Sequence, residues 1–497
     1  MKLSFNKFKN WIKGISKVKY IFLIYFIIVL LASLLLWTPM TQTGNNYVKY
    51  SDAFFITASS FSDTGLVTLD TYNTWNWFGQ AVIAILIFIG GLGIFALKIF
   101  IINVIFMKRK TSMSDLQLVG HERAGRDDNS TKKIIRDSIG LLLIIFILFS
   151  IALSIYFYNV DPKEISSDSS ITGKYISPKG DWGTSFRYGI FHCISALNNA
   201  GFDIIGENSL MPYYHNIGLQ VMFLILFIIG GVGYPAIHDF LNWIRFKVKN
   251  GRRPYRWKLF TKISVSTYLI VTVIGFTLIL GFELGKNNID SFWHQTKYGG
   301  NGAYKIWALI FTTFSSRSAG FATIPMNNLS GGSIFILTAL MFIGAAPAST
   351  GGGIRTTTFG ILIISIFSKM IGHPSVRAFK RKVDDEIVKM SALVFIISII
   401  IISIIAFISI SSLQSYAGDV DDTKLGFLEI MFEASSAFGT TGLSTGVTKG
   451  LNVASKIAFA ILMFIGQFGI SSTILFWGNK RNYSYTYDYI AEDIAIG

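Results

Sequence analysis

Apolar blocks as long as a bilayer's hydrocarbon core dominate this chain and leave few folds open to it. Six are clear: Tyr20 to Trp37, Gly140 to Tyr158, Leu259 to Phe282, Ile334 to Phe367, Met390 to Ile410 and Ile457 to Trp477. Two more, Phe78 to Phe106 and Ile217 to Ile229, run on through glycine-rich ends. A helix needs about 20 apolar residues to cross the hydrocarbon region, so the blocks predict eight spans. A water-soluble helical core would need polar faces on these helices, and the blocks carry none. Only 14% of the 497 residues are charged, against about 25% in soluble domains. The first block is long and Trp37-Thr-Pro39 is not a small-residue cleavage site, so it reads as an uncleaved span.

The net charge of +16 falls in alternate gaps. Lys2, Lys7, Lys9, Lys13, Lys17 and Lys19 precede the first span, and Lys108, Arg109 and Lys110 follow the second. Lys132, Lys133 and Arg136 precede the third, Arg252, Arg253, Arg256 and Lys258 lie between the fourth and fifth, and Arg377, Lys380, Arg381 and Lys382 between the sixth and seventh. Lys480 and Arg481 follow the eighth. This positive-inside pattern puts a multi-pass protein in the cell membrane with both termini cytoplasmic. The charge therefore reports topology and a lipid bilayer partner, not nucleic acid. The lone Cys193 excludes an intrachain disulfide and a cysteine metal cluster. The six histidines lack metal-ligand spacing, and His192 reads as a packing or hydrogen-bonding residue.

Four stretches share one grammar: Ser59-Ser-Phe-Ser-Asp-Thr-Gly65-Leu, Ser195-Ala-Leu-Asn-Asn-Ala-Gly201-Phe, Ser315-Ser-Arg-Ser-Ala-Gly320-Phe and Ser435-Ser-Ala-Phe-Gly-Thr-Thr-Gly442-Leu. A short helical stretch precedes each: Asp52 to Ala58, Phe186 to Ile194, Tyr304 to Phe314 and Leu425 to Ala434. These are too short to span and read as re-entrant half-helices. A second glycine recurs downstream at Gly90, Gly230, Gly344 and Gly466, which is 25, 29, 24 and 24 residues on. The fold class expected is thus all-α: eight transmembrane helices in four span, pore-helix, filter-loop, span repeats around a central pore. The repeats run 20–107, 137–245, 259–370 and 390–479. They are joined by cytoplasmic linkers 108–136, 246–258 and 371–389, with a segment 1–19 before them and a tail 480–497 after.

Non-helical backbone at membrane depth is tolerated inside protein or beside water. Carbonyls of such loops can replace an ion's hydration shell, and glycine supplies the backbone angles that side chains penalise. Each half-helix aims its negative C-terminal end at the pore, which suits a cation. The span interiors hold essentially no acids; Asp239 and Glu283 sit at span ends, and Glu429 and Glu433 on the fourth half-helix. Backbone rather than carboxylates is therefore expected to handle the ion, which argues against a proton relay. A sodium- or proton-coupled carrier is the alternative. No nucleophile motif or phosphate loop points to an enzyme, and Gly-Gly-Leu-Gly93 has no preceding strand to make it a dinucleotide fingerprint.

The repeats, the loops Ser-Ala-Leu-Asn-Asn-Ala-Gly201-Phe and Ser-Arg-Ser-Ala-Gly320-Phe, and Gly442-Leu-Ser-Thr-Gly446 resemble the Trk/Ktr/HKT superfamily of potassium transporters over nearly the whole chain. Eight spans without an extra N-terminal hairpin resemble its KtrB-type membrane subunit. The resemblance implies a K+ filter of carbonyls from Thr64, Gly65, Leu66, Ala200, Gly201, Phe202, Ala319, Gly320, Phe321, Thr441, Gly442 and Leu443. Glycine at all four central positions implies selection of potassium. It also implies an intramembrane gate matching Gly344 to Thr358, centred on Ala348, Ser349, Thr350, Gly351, Gly352 and Gly353. The residues agree, because three consecutive glycines break an overlong span midway. A homodimer is implied too, with a cytoplasmic KtrA-type ring that senses adenine nucleotides. Any nucleotide then acts only through that partner, since no covalent cofactor or nucleotide motif is expected in this chain.

Two departures, at Gln467 and Asp63, together with Arg355, mark the gate or vestibule charges. Gln467 stands where family members usually carry an arginine, so the closed state leaks more or Arg355 substitutes. Asp63 either draws cations to the mouth or accepts hydrogen bonds in its loop. Arg317 is expected to brace its loop through backbone carbonyls, because a cation beside the path would repel the ion. The polar segment Met107 to Arg136 is either a solvated linker or a docking site for the regulatory partner.

Overall fold

In this computed structural model the described residues are 17–44, 47–93, 96–97, 128–165, 172–285, 292–295, 301–416 and 426–470. The expected inner ends of the second and eighth spans, residues 98–106 and 471–477, and most of the linker 108–136 lie outside them. The described fold is mostly helical. Four helices are long and apolar enough to cross a membrane: α1 (Lys17–Trp37), α4 (Asp128–Asn159), α8 (Leu259–Gly285) and α12 (Asp385–Tyr416). Each falls on an expected block.

Four short helices stand where half-helices are expected: α2 (Tyr50–Phe61), α5 (Trp182–Leu197), α9 (Gly302–Ser315) and α13 (Phe427–Phe438). Each begins earlier or ends later than its apolar core, and at α5 and α9 a side-chain cap extends the start. Asp181 accepts from the Gly183 amide at the head of α5, and Asn301 from the Ala303 amide at the head of α9. Apolar helices α3 (Trp77–Leu92), α6 (Ile217–Gly231), α10 (Gly331–Phe342) and α14 (Val453–Phe468) follow them in turn.

The recurring downstream glycine has a packing reason. A Cβ on Gly90 would stand 2.0 Å from the Phe61 carbonyl oxygen, on Gly230 2.1 Å from Leu197, and on Gly466 2.0 Å from Phe438. In each case the following helix lies against the last carbonyl of its short helix, at a distance no side chain permits. Gly344 breaks the series, since its Cβ would meet the Gly352 oxygen at 1.8 Å. Here the expected sixth span ends at Phe342 and resumes as α11 (Thr356–Met370), leaving residues 343–355 without helix.

One long helix lies outside every span and half-helix expected from the sequence. After α6 the chain bends by 102° into α7 (Tyr234–Asn250), and Gly233 makes the turn at φ +87°. α7 is amphipathic and basic at its end, with Lys247 and Lys249 in the last turn. Two buried acids pin it. Asp137 of α4 receives Arg245 at 2.6 Å and faces His238 at 3.2 Å. Asp239 accepts from the Tyr255 hydroxyl at 2.6 Å, the Lys258 amide at 3.0 Å and the Thr261 hydroxyl at 2.8 Å.

The ends of the fold meet, because α2 packs on α14 as well as on α1 and α3. Across this seam Lys456 donates to Asp52 at 2.6 Å, with side chains 11% and 9% exposed. Removing one partner of such a pair strands a buried charge at a cost of about 3–5 kcal/mol, whereas replacing both is close to neutral. Lys456→Met is therefore expected to lower the thermal unfolding midpoint of the detergent-solubilised protein by several degrees. The double change Asp52→Asn, Lys456→Met should recover most of the loss.

Candidate functional site

Each short helix ends in the same kind of turn. Asp63, Asn199, Ser318 and Thr440 have φ of +52°, +57°, +76° and +45°, and the glycine two residues on has φ of +84°, +69°, +81° and +91° at Gly65, Gly201, Gly320 and Gly442. An amide five residues downstream closes each helix end: Thr64 to the Ser59 oxygen (2.9 Å), Ala200 to Ser195 (2.8 Å), Gly320 to Ser315 (3.2 Å) and Thr441 to Ser436 (2.8 Å). This is the left-handed C-terminal stop of a helix. Its repetition turns the chain back on itself at four equivalent places.

The four turns meet. A Cβ on Gly65 would stand 2.3 Å from the Ala200 oxygen, and one on Gly201 3.0 Å from the Ala319 oxygen. One on Gly320 would stand 1.9 Å from the Thr441 oxygen, and one on Gly442 2.4 Å from the Thr64 oxygen. The glycines thus form a closed ring in chain order, each against a carbonyl of the next loop. No side chain separates them.

The apolar residue after each glycine anchors its loop. Leu66, Phe202, Phe321 and Leu443 are at most 1% exposed, and Phe321 stacks on Phe227 with ring centroids 5.6 Å apart. The Phe202 and Phe321 carbonyls accept from the Ser195 and Ser315 hydroxyls, both at 2.6 Å. The oxygens that face neighbouring glycines come instead from Thr64, Ala200, Ala319 and Thr441. Two struts hold the chain beyond the ring. His192 of α5 bonds the Tyr188 carbonyl at 2.7 Å and accepts from the Ile204 amide at 3.3 Å. Glu433 of α13 accepts from the Thr445 amide at 2.8 Å and from the hydroxyls of Ser444, Thr445 and Thr448. In both pairs the strut stands 12 residues before the amide that it holds.

Beside the ring a polar cavity of about 40 Å³ is lined by Gly65, Gly201, Asp70, Asp203 and Glu207. Lys449 donates to Asp70 at 2.8 Å. Burial, followed by the nearby Asp70 carboxylate, pushes the Asp203 carboxyl up to about 7. The sequence reading did not single out these acids. Their one signal was position, two to six residues after a loop glycine.

On the ring's other flank lies the interrupted segment 343–355. Arg317, 1% exposed, donates to the Gly344 carbonyl at 3.0 Å and stacks over Tyr268 at 5.1 Å, so it reaches the interrupted segment and not, as expected, the carbonyls of its own loop. Ser318 donates to the Gly439 carbonyl at 2.8 Å and accepts from the Gly352 amide at 3.1 Å. The bend between α6 and α7 holds the far edge: Ala346 donates to the Gly231 oxygen (3.1 Å), Thr350 to Gly230 (3.3 Å), and Tyr234 to Ala348 (2.9 Å). Ser349 is buried, Gly353 takes φ +77°, and a Cβ on Gly351 would stand 2.4 Å from the Ser318 hydroxyl.

Asp63, Arg355 and Gln467 come together here. Arg355 donates to the Gly351 carbonyl and, at 2.7 Å, to the Gln467 carbonyl. The Gln467 amide donates to Asp63 at 3.0 Å and to the Thr350 carbonyl at 3.2 Å. Arg355 thus reaches the Gln467 position from the segment itself. Asp63 faces that segment and serves as an acceptor, while the cavity acids are Asp70, Asp203 and Glu207.

The family model described as TrkH, cation transport protein, matches residues 15–482. An uncharacterized cation transporter of Mycoplasma genitalium is 32% identical, over 99% of this chain and all of that protein. Ktr system potassium uptake protein D of Bacillus subtilis is 30% identical, over 99% of each chain. The crystal structure of the potassium transporter TrkH from Vibrio parahaemolyticus matches with a TM-score of 0.62 at 16% identity, covering 94% of this chain and 86% of that one.

Arg355 ties the segment to α14 by a side chain alone. Arg355→Ala should therefore speed hydrogen–deuterium exchange at the amides of residues 350–353 by about tenfold. That is the scale of losing a charged hydrogen bond of about 1.5 kcal/mol. Exchange in α8 and α12 should be unchanged.

Proposed function

The chain belongs to the TrkH family of cation transport proteins and stands with the KtrB-type membrane subunits of the Trk/Ktr superfamily, and from that premise we propose that it takes up potassium through the ring of loop glycines. The observation that carries this reading is the ring itself: four left-handed glycines, each pressed on a neighbouring carbonyl. Carbonyl oxygens crowded around one axis can replace the water shed by K+. The four short helices point their C-terminal ends at the same place and add partial negative charge. The potassium uptake named for the Bacillus subtilis relative supports the choice of ion.

The ion enters past Asp70, Asp203 and Glu207, whose charge raises the local cation concentration. It loses water at the filter carbonyls, passes the gating loop Ala348 to Gly353, and is driven inward by the membrane potential. Arg355 and Arg317 hold that loop in place. Opening requires breaking the Arg355 bonds to Gly351 and Gln467, so this position does the work that an arginine at Gln467 does in the family. The eight-span topology with both termini cytoplasmic, the homodimer and the nucleotide-sensing KtrA-type ring belong to the same reading, as does the absence of catalysis.

Two measurements test it. In proteoliposomes K+ flux should exceed Na+ flux, and Gly65→Ser or Gly442→Ser should weaken the flux or narrow the difference. A serine there meets both a left-handed backbone and a carbonyl 2.3–2.4 Å away, each costing about 1–2 kcal/mol. Robust flux whose selectivity neither change alters would reject the filter. A Na+ or H+ gradient that drives K+ uphill would favour the coupled carrier. Second, Asp203 is charged above about pH 7 and neutral below it. K+ influx should fall as external pH drops from 8 to 6, and Asp203→Asn should flatten that profile at the lower level.

A further inference from the structure

We propose that the apolar groove between α4, the α6–α7 bend and α8 binds one anionic phospholipid of the cytoplasmic leaflet, and that this lipid steadies the gating loop. The groove encloses about 780 Å³, within the range of cavities that bury a ligand. Leu141 and Ile145 of α4, Val232 and Phe240 at the bend, and Val265 and Leu269 of α8 form its walls. Phe240 and Leu269 are about half exposed, so the protein itself leaves this trough uncovered. A lipid tail matches such walls at no polar cost.

The rim sets the headgroup. Lys262 and Trp257 line the same groove, and Lys262 is exposed. Its ammonium lies 5.6 Å from the Phe379 ring, at the tip of the hairpin of β1 (Arg377–Ala378) and β2 (Arg381–Lys382). Arg256 and Lys258 directly precede α8. An aromatic residue and cations at one end of an apolar trough are what an interfacial headgroup with negative charge requires. The basic linkers flank this end and the positive-inside pattern puts it on the cytoplasmic side, which selects that leaflet.

The coupling follows from shared residues. Val232 and Ala236 line the groove. Gly230, Gly231 and Tyr234, interleaved with them, carry the three backbone bonds to Thr350, Ala346 and Ala348. A tail packed on one side of the bend limits its motion and so limits the loop bonded to the other side. Only this consequence rests on the gating role proposed above; binding itself does not.

The test is native mass spectrometry of the full chain released from nanodiscs of equal phosphatidylglycerol and phosphatidylcholine, paired with hydrogen–deuterium exchange in each lipid alone. Wild type should retain one phosphatidylglycerol in preference to phosphatidylcholine. Lys262→Ala, an exposed position, should cut that preference about fivefold, the effect of one cation near an anionic surface. Val265→Trp, at an exposed lining position of α8, fills the trough and should abolish retention of both lipids. Exchange at residues 345–353 should be slower in phosphatidylglycerol than in phosphatidylcholine for wild type and equal for Val265→Trp. Equal retention of the two lipids, or a Lys262→Ala variant that binds as wild type does, overturns the site. Disulfide capture of a second copy through Leu269→Cys in the membrane overturns it in favour of a protein interface. Lipid retention without any change in loop exchange leaves the binding and refutes the coupling.

Discussion

Backbone at membrane depth has no water to bond, and this constraint organises the whole molecule. Four loops turn back inside the protein, so their carbonyls must meet protein groups, water or a transported ion. Gly65, Gly201, Gly320 and Gly442 allow the loops to touch one another. Gly90, Gly230 and Gly466 allow the next helix to touch the last carbonyl of the short helix. Both sets serve one end: excluding side chains where backbone must lie against backbone. With side chains absent from the ring, chemistry there belongs to oxygens whose spacing is set by the surrounding scaffold.

That scaffold was largely legible in the sequence. The apolar blocks located the four long helices, and the small-polar stretches located the loops, because both signals are periodic and repeat. The helix bounds were less legible, since caps such as Asp181 and Asn301 extend the short helices beyond their apolar cores. α7 was invisible as a structural element. Its residues straddle the expected end of the second repeat at 245 and the linker after it, and what makes it an ordered helix is long-range: Asp137 and Asp239 are satisfied by groups from other segments. A single sequence does not tell which acid meets which partner.

The site divides in the same way. The left-handed glycines could be read from residue type, because φ > 0 is a local argument, whereas the partner of Arg317 could not, since its guanidinium crosses to Gly344. The engaged carbonyls of Phe202 and Phe321 could not, since they depend on serines six to seven residues earlier folding over them. The orientation of Asp63 was open for the same reason. It turns to Gln467, 404 residues away in sequence.

The third stretch departs from the other three, and the departure is one of packing. In repeats one, two and four the second glycine packs on a short-helix carbonyl, which leaves the following helix continuous up to that point. In the third, Gly344 packs instead on Gly352, and α10 has already ended at Phe342. The segment is then held by Arg317, Ser318 and Arg355, each through one or two hydrogen bonds, and by three from the bend after α6. Individually such bonds are worth about 1 kcal/mol net, and about 1.5–3 kcal/mol where a charge takes part. A segment fixed by a handful of them is held less firmly than a helix bonded at every residue. A continuous helix in the same place would have to break its own ladder in hydrocarbon. The departure of one glycine from a fourfold pattern therefore separates the one stretch held by side chains and a neighbouring bend from the three in which the helix itself runs on past the short-helix carbonyl.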